Sequence, residues 1–320
     1  MPKLKVALYW AASCGGCEIA TLAIGDRILK LAEAADIMFW PVAIDAKYAD
    51  VENMPDGSID ACLFNGAIRN SENEYLAKLL RRKSRIMIAY GSCSCEGCIP
   101  GLANFFSAKE ILQTVYIDTA SSDNIDKVIP QTKVAVPEGE LELPEFYNTV
   151  KTLAQTVDVD YFVPGCPPEE STTWMALEAL ISGNLPPRGA VIAPPSSCVC
   201  NDCPRIKNEK KIKAFHRPYE IIPDPNTCLL EQGILCCGIG TRGGCGALCP
   251  KANMPCTGCY GPVEGVRDQG SHILTAWASI IDSNDPDEIN RILDGIVDPA
   301  GYAYRYSLSD SMINRARISP

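Results

Sequence analysis

The feature that most constrains this chain is a segment dense in cysteine, which runs from Cys198 to Cys259. It holds ten of the seventeen cysteines, with Gly and Pro among the residues that separate them. Thiolates gathered in this way suit soft metal ions, above all iron–sulfur clusters that are bound through four cysteines each. Regular hydrophobic periodicity is sparse here, so we expect metal to organise this part of the fold.

Composition narrows the class of protein. With 320 residues the chain is long enough for about two domains, on a prior of roughly 150 residues each. A hydrophobic fraction of 47% with 21% charged residues is ordinary for a globular protein and argues against disorder. The net charge of −10 argues against nucleic-acid binding, which needs a basic surface.

The first residues lead directly into a strand pattern without the apolar region and cleavage site of a signal peptide. No apolar run approaches the length of about 18 residues that a membrane span needs. We therefore expect a cytoplasmic protein without a membrane span. In a reducing compartment, an odd number of cysteines is better explained by metal than by disulfides.

Short apolar runs alternate with helix-like segments, which is typical of a parallel sheet covered by helices. The expected strands are residues 4–11, 37–44, 61–64, 85–90 and 160–163. The expected helices are one that begins near Glu18 and continues to Leu31, and residues 72–82, 106–113, 272–281 and 287–296. Proline-rich breaks between residues 183 and 195 indicate a boundary. We predict a flavodoxin-like, doubly wound α/β domain over residues 1–188 and an irregular, cysteine-rich iron–sulfur domain over residues 189–320.

Four cysteines outside the dense segment directly follow expected strands, namely Cys14, Cys17, Cys93 and Cys166. Because the carboxyl ends of parallel strands meet at one edge of a sheet, these thiolates should lie together and suffice for one [4Fe–4S] cluster. Neighbouring glycines would let backbone N–H groups approach the sulfurs. Helices expected to begin near Glu18 and Pro168 would direct their positive N-terminal ends at an anionic cluster.

Other interpretations of these motifs stay open at this point. The C-x-x-C pairs also meet the spacing of structural zinc sites, and C-G-G-C at a strand–helix junction could form a thioredoxin-like redox pair. Residues 238–243 spell G-x-G-x-x-G, but without the strand and helix that a dinucleotide site requires, so a cluster loop is favoured. Glu18 could move protons near a subunit interface or cap the helix that follows.

The motifs, taken in order, resemble the small subunit of [NiFe] hydrogenases. They are C-G-G-C-E after the first strand, G-S-C after a middle strand, P-G-C-P-P, and the cysteine-rich C-terminal domain. The segments R-P at 217–218, P-D-P-N-T-C-L-L-E-Q-G and N-M-P-C-T-G-C-Y-G-P look like the cytoplasmic, F420-non-reducing type found with heterodisulfide reductase. The resemblance covers nearly the whole chain.

This resemblance implies three [4Fe–4S] clusters held by twelve cysteines. The proximal ligands would be Cys14, Cys17, Cys93 and Cys166; the medial ligands Cys245, Cys249, Cys256 and Cys259; and the distal ligands Cys200, Cys203, Cys228 and Cys236. Cys249 and Cys200 depart from many relatives, which have Pro at the former position and His at the latter.

Five cysteines remain outside this assignment: Cys62, Cys95, Cys98, Cys198 and Cys237. All but the first are close in sequence to an assigned ligand and could bind in its place. Cys62 lies within an apolar strand and is expected to be a small core residue.

The function that the resemblance implies is electron transfer. A partner large subunit would split H₂ at its NiFe centre, and this chain would pass the electrons through the proximal, medial and distal clusters. The onward acceptors would be a delta-type iron–sulfur adaptor subunit and heterodisulfide reductase. The alternatives are the small subunit of an F420-reducing hydrogenase or of a non-catalytic, H₂-sensing complex. No residue of this chain is expected to be catalytic for H₂, with Glu18 a candidate for a proton path.

Overall fold

The computed structural model describes residues 3–208 and 211–315 of the chain. Nine strands occur within these residues, and five of them form the central sheet. The strands are β1 (Leu4–Trp10), β2 (Ala35–Phe39), β3 (Ile59–Asn65), β4 (Ile68–Asn70), β5 (Ser84–Tyr90), β6 (Lys133–Val136), β7 (Gly139–Glu142), β8 (Phe146–Lys151) and β9 (Tyr161–Val163).

The central sheet is parallel and has the strand order β2-β1-β3-β5-β9. This is the doubly wound order of the flavodoxin-like folds, so the predicted fold class is confirmed. The second predicted strand was drawn too long. It ends at Phe39, because the chain then turns and the N–H groups of Ala43 and Ile44 both donate to the Trp40 carbonyl.

Thirteen α-helices occur in the described residues, several of them a single turn. They are α1 (Gly16–Leu22), α2 (Arg27–Ala34), α3 (Tyr48–Asn53), α4 (Ser71–Lys83), α5 (Ser92–Cys95), α6 (Cys98–Gly101), α7 (Ala108–Gln113), α8 (Glu170–Ser182), α9 (Val199–Asp202), α10 (Leu248–Lys251), α11 (Gln269–Ala278), α12 (Pro286–Leu293) and α13 (Pro299–Ala303). The prediction of a single helix after Cys17 is wrong. This segment forms two helices, α1 and α2, which are separated by a turn in which Gly25 has a φ of +62°.

Both faces of the sheet are buried, since alternate residues of each strand point to opposite sides. Tyr9 and Phe64 pack on one face against α4, and Leu8 and Leu63 pack on the other against α8. Strands covered on both sides need a nearly continuous apolar sequence, which is why short apolar runs located β1, β3, β5 and β9.

The C-terminal region has little regular structure and a core of its own around Trp277, which is 1% exposed. Phe105, from the sheet region, also packs against this core. The boundary at residues 188 and 189 stays a prediction. No helix in residues 3–208 or 211–315 is long and apolar enough to cross a membrane.

Candidate iron–sulfur sites

The first candidate site lies at the carboxyl edge of the central sheet, where the structure brings together the four cysteines that follow strands. Cys17 is the second residue of α1, and its thiol lies close enough to those of Cys93, Cys166 and Cys14 to interact with them electrostatically. Burial, followed by the charges of these three neighbours, raises the pKa of the Cys17 thiol. A bound metal would reverse this effect, because the thiolate is the form that ligates.

Gly91 shows how closely backbone and sulfur approach at this site. It has a φ of +85°, and a Cβ built on it would lie 2.3 Å from the Cys17 sulfur. Its N–H donates to the Val163 carbonyl over 2.8 Å, which ties the end of β5 to the end of β9. The loops that carry the cysteines are therefore held at fixed distances by backbone contacts that only glycine permits here.

The second candidate site is built by Cys200, Cys203, Cys228 and Cys236, which line one small cavity together with Gly238 and Lys207. Burial raises the pKa of Cys200 to about 12 and that of Cys236 to about 11. Hydrogen bonds from backbone N–H groups lower the pKa of Cys236 against the effect of burial. The backbone nitrogen of Cys256 lies 3.3 Å from the Cys236 sulfur. Residues 238–240, within the glycine motif, form a 3₁₀ turn beside the sulfurs of Cys200 and Cys236, and the role of this motif as a cluster loop stays a prediction.

The third candidate site consists of the cysteines assigned to the medial position. Cys256 lies beside Cys259, which in turn lies near Cys245 and Cys249. Burial raises the pKa of Cys259 to about 12, and the N–H of Cys166 acts in the opposite direction. Burial also raises the pKa of Cys245, while hydrogen bonds from the N–H groups of Ala247 and Leu248 lower it. Cys249 is exposed, while Cys256 is buried.

The donor set of the second site fits an iron–sulfur cluster. A [4Fe–4S] cluster takes one thiolate at each of its four irons, so its ligands stand around a cube instead of converging on one ion. The four sulfurs of this site line one small cavity, and the backbone N–H of Cys256 is directed at the Cys236 sulfur.

Four of the five remaining cysteines lie in a hydrophobic core or donate a hydrogen bond to a residue outside the assigned ligand sets. Cys62 and Cys95 are buried in the core on one face of the sheet, and the Cys95 thiol donates to the carbonyls of Ala89 and Val163 over 3.4 and 3.6 Å. Cys237 is fully buried in the C-terminal core. The Cys198 thiol donates to Asn201 over 2.8 Å.

Cys98 is different, because its sulfur points into the first site. It lies 3.6 Å from the sulfur of Cys166, although Cys98 comes five residues after the assigned ligand Cys93. The hydrogen bond from Cys98 lowers the pKa of the Cys166 thiol, and the same bond is the main cause that raises the pKa of Cys98.

Glu18 lies beside the first site and does not cap α1. Its side chain is 6% exposed and accepts a hydrogen bond from the Asn65 amide over 3.4 Å, while the N-terminus of α1 has no side-chain cap. Burial raises the pKa of the Glu18 carboxyl, and the neighbouring side chains of Trp40 and Asn65 lower it. The capping interpretation is therefore wrong, and the proton-path role stays a prediction.

Two side chains that join the candidate sites were not predicted from the sequence. Ser92 donates to the Cys259 carbonyl and accepts from the Gly165 N–H over 3.3 Å, so its hydroxyl joins the first site to the third. Arg205, only 4% exposed, joins the second site to the third. Its guanidinium donates to the carbonyls of Asp224, Thr227 and Pro250. Neither residue belongs to a ligand motif, so their sequence context carries no signal.

Comparisons with known proteins agree with the motifs. The sequence model of the protein family described as NADH ubiquinone oxidoreductase, 20 Kd subunit, matches residues 14–180, just over half of the chain. The iron-sulfur subunit of the F420-non-reducing hydrogenase of Archaeoglobus profundus is 42% identical over 322 residues, which cover 98% of each chain. The equivalent vhu subunit of the F420-non-reducing hydrogenase of Methanococcus voltae is 38% identical, over 87% of this chain and 88% of its own.

A third relative is the same subunit of the F420-non-reducing hydrogenase of Methanothermobacter thermautotrophicus. It is 34% identical, over 97% of this chain and 96% of its own. These relatives match at near full length, through both the sheet region and the cysteine-dense segment. The chain therefore belongs to the family that these subunits of F420-non-reducing hydrogenases form, and it is an oxidoreductase subunit of the hydrogenase small-subunit type.

Proposed function

We propose that this chain relays electrons, one at a time, between the NiFe centre of a hydrogenase large subunit and the next protein. Three [4Fe–4S] clusters would carry them: a proximal cluster on Cys14, Cys17, Cys93 and Cys166, a medial cluster on Cys245, Cys249, Cys256 and Cys259, and a distal cluster on Cys200, Cys203, Cys228 and Cys236. When bound, each cluster supplies one-electron redox chemistry.

The observation that carries this proposal is that each set of cysteines contacts the next. The backbone N–H of Cys166, a proximal ligand, faces the sulfur of the medial ligand Cys259 and lowers its pKa. The backbone N–H of the medial ligand Cys256 lies 3.3 Å from the sulfur of the distal ligand Cys236. These two contacts support the proposed order proximal, medial, distal.

The residues around these cysteines hold the sulfurs in place and shield several of them from water. Cys17, Cys93 and Cys256 are 7%, 7% and 6% exposed. Backbone N–H groups directed at sulfur stabilise negative charge, which a cluster and its thiolates carry. The Ser92 hydroxyl and the Arg205 guanidinium tie the ligand loops of neighbouring sites together.

Each end of the line reaches the protein surface. At the proximal end Cys14 is exposed, and the elements that flank it in sequence, β1, α1 and α2, carry large apolar side chains that solvent also reaches: Trp10, Ile19, Leu22 and Leu29 are 40%, 69%, 57% and 65% exposed. Exposed apolar groups of this kind favour a protein partner, here the large subunit. At the distal end the exposed Lys207 lines the cavity, where an acceptor can approach.

The onward acceptors in this proposal are a delta-type iron–sulfur adaptor and heterodisulfide reductase. Support for them comes from the motif resemblance alone. The names of the three relatives favour this type over an F420-reducing hydrogenase subunit, and over an H₂-sensing complex. A cytoplasmic location belongs to the proposal as well, since all seventeen cysteines are free thiols and a reducing compartment keeps them so.

The experiment that tests the relay is an iron and acid-labile sulfide count on the complex purified without oxygen, followed by EPR after reduction with H₂. About twelve iron atoms per chain are expected from three four-iron clusters, with magnetic interaction between neighbouring clusters. About four iron atoms with bound zinc would contradict the proposal.

A pair of matched variants tests the ligand assignment within the same complex. Cys93→Ala is expected to lose about four iron atoms per chain, the content of one cluster. Cys95→Ala is expected to retain them all, because that thiol contacts strand carbonyls in the core. Equal loss of iron in both variants would show that the two cysteines are not distinguished as proposed.

A further inference from the structure

Cys98 is a fifth cysteine at the proximal site, and no ligand role is assigned to it. Its side chain is fully buried, and its sulfur lies 3.6 Å from that of Cys166 in a geometry in which the Cys98 thiol is the donor. A distance of 3.6 Å is within hydrogen-bonding range for two sulfurs and well beyond the bond of a disulfide, which is about 2.05 Å long.

The backbone around Cys98 holds the thiol in this position. Cys98 has a φ of +47°, in the left-handed region that residues other than glycine rarely adopt. Its N–H donates to the Tyr306 carbonyl over 2.9 Å. A Cβ added at Gly97 or Gly101 would lie 2.5 or 2.7 Å from the Ser309 hydroxyl, so the C-terminal residues pack tightly on α6. Strain of this kind persists only where the surroundings over-determine it.

The charges around Cys98 favour its neutral form. Cys166 and Cys93 become thiolates when a cluster is bound, and the cluster itself is anionic. A further thiolate, fully buried beside these charges, would be unfavourable. With its sulfur 3.6 Å from that of Cys166, the Cys98 thiol has an acceptor within hydrogen-bonding range.

We propose that Cys98 donates an S–H hydrogen bond to the cluster ligand Cys166 and thereby raises the reduction potential of the proximal cluster. The inference rests on the proposed function, which places a [4Fe–4S] cluster on Cys166. Reduction adds one electron to the cluster and breaks no bond, and the thiol proton stays on Cys98. The added negative charge strengthens the hydrogen bond, so the reduced state is stabilised more than the oxidised state.

The test compares Cys98→Ala, Cys98→Ser and Cys98→Gly with the wild type in the intact complex, by iron content and by EPR-monitored redox titration of the proximal cluster. Cys98→Ala is expected to keep the iron content but to shift the midpoint to lower potential. We expect an oxidised-to-reduced ratio about threefold to tenfold higher at the wild-type midpoint, where tenfold corresponds to about 59 mV for one electron. Cys98→Ser keeps a donor and should stay closer to the wild type.

Cys98→Gly removes the donor while relieving the left-handed backbone, so it repeats the test if the alanine variant does not fold. Unchanged potentials in the alanine and glycine variants would overturn the inference. Loss of about four iron atoms would overturn it too, because Cys98 would then be a ligand. A wild-type complex without a proximal cluster signal would instead refute the proposed function, and the inference with it.

Discussion

Replacing Gly91 by alanine should remove the proximal cluster selectively. The new Cβ would lie 2.3 Å from the Cys17 sulfur, a distance at which one of the two must move. The residue would also keep a φ of +85° with a ψ of 158°, a region that essentially only glycine adopts and that costs an alanine about 1–3 kcal/mol. Forcing the extra methyl into a packed site adds about 1–3 kcal/mol. The total is about 2–6 kcal/mol, directed at the loop that aligns Cys17 with Cys93.

Gly183→Ala is the matched control for this variant. Gly183 ends α8 with a φ of +73°, and a Cβ built on it meets nothing within 4 Å. It therefore carries the backbone strain of about 1–2 kcal/mol without the contact with sulfur. The iron content of the two variants therefore separates the effect of the contact with sulfur from that of a strained glycine position elsewhere.

The assay is iron content and EPR of the anaerobic complex, together with the midpoint of urea unfolding. Gly91→Ala should retain about eight of about twelve iron atoms per chain, with the medial and distal signals present. Gly183→Ala should retain all of them and lose only stability. If Gly91→Ala keeps a full proximal signal, the Cys17 sulfur is not held against this backbone and the geometry of the site is wrong.

Two further predictions concern the frame around the sites. Arg205→Ala removes a buried guanidinium that donates to the carbonyls of Thr227 and Pro250, among others. This variant should therefore lower the free energy of unfolding by about 3–5 kcal/mol, with distal iron lost first. The exposed Arg217→Ala is its control, and equal urea midpoints would contradict the role given to Arg205. Tyr90→Phe tests pH dependence. Burial raises the pKa of Tyr90 to about 12, above its ordinary value of 10. The stability that this group contributes to the wild type is therefore complete below pH 10 and is lost as pH rises through 12. The phenylalanine variant should lack that part of the loss in urea unfolding between pH 10 and 12, whereas parallel profiles would show that Tyr90 does not titrate there.

The sequence alone determined the sheet and the cysteines at its edge. Strands buried on both faces need short apolar runs, and the chain carries them at β1, β3, β5 and β9. Because parallel strands align their carboxyl ends, cysteines directly after these runs had to meet, as the neighbours of Cys17 show. Local pattern was a sufficient guide wherever a strand end set the position of a residue.

Structural features with weaker local sequence signals were predicted less well. Periodicity ran through the turn at Gly25, so two helices were taken as one. Residues 114–151 have no long apolar period, and their hairpin of β6 and β7 was not predicted. The chain offers several cysteines near each assigned ligand, and spacing by itself does not tell which sulfur points inward.

Only the tertiary structure decided that last question. Cys95 and Cys98 are three residues apart, yet one thiol contacts the carbonyls of the sheet and the other contacts Cys166. The direction of each depends on the single turns α5 and α6, which are set by packing against distant segments, including Ser309 near the C-terminus. The contacts that join the three sites, such as that of Cys256 with Cys236, likewise link separate loops. Side-chain direction in irregular loops follows long-range packing, and no local pattern encodes it.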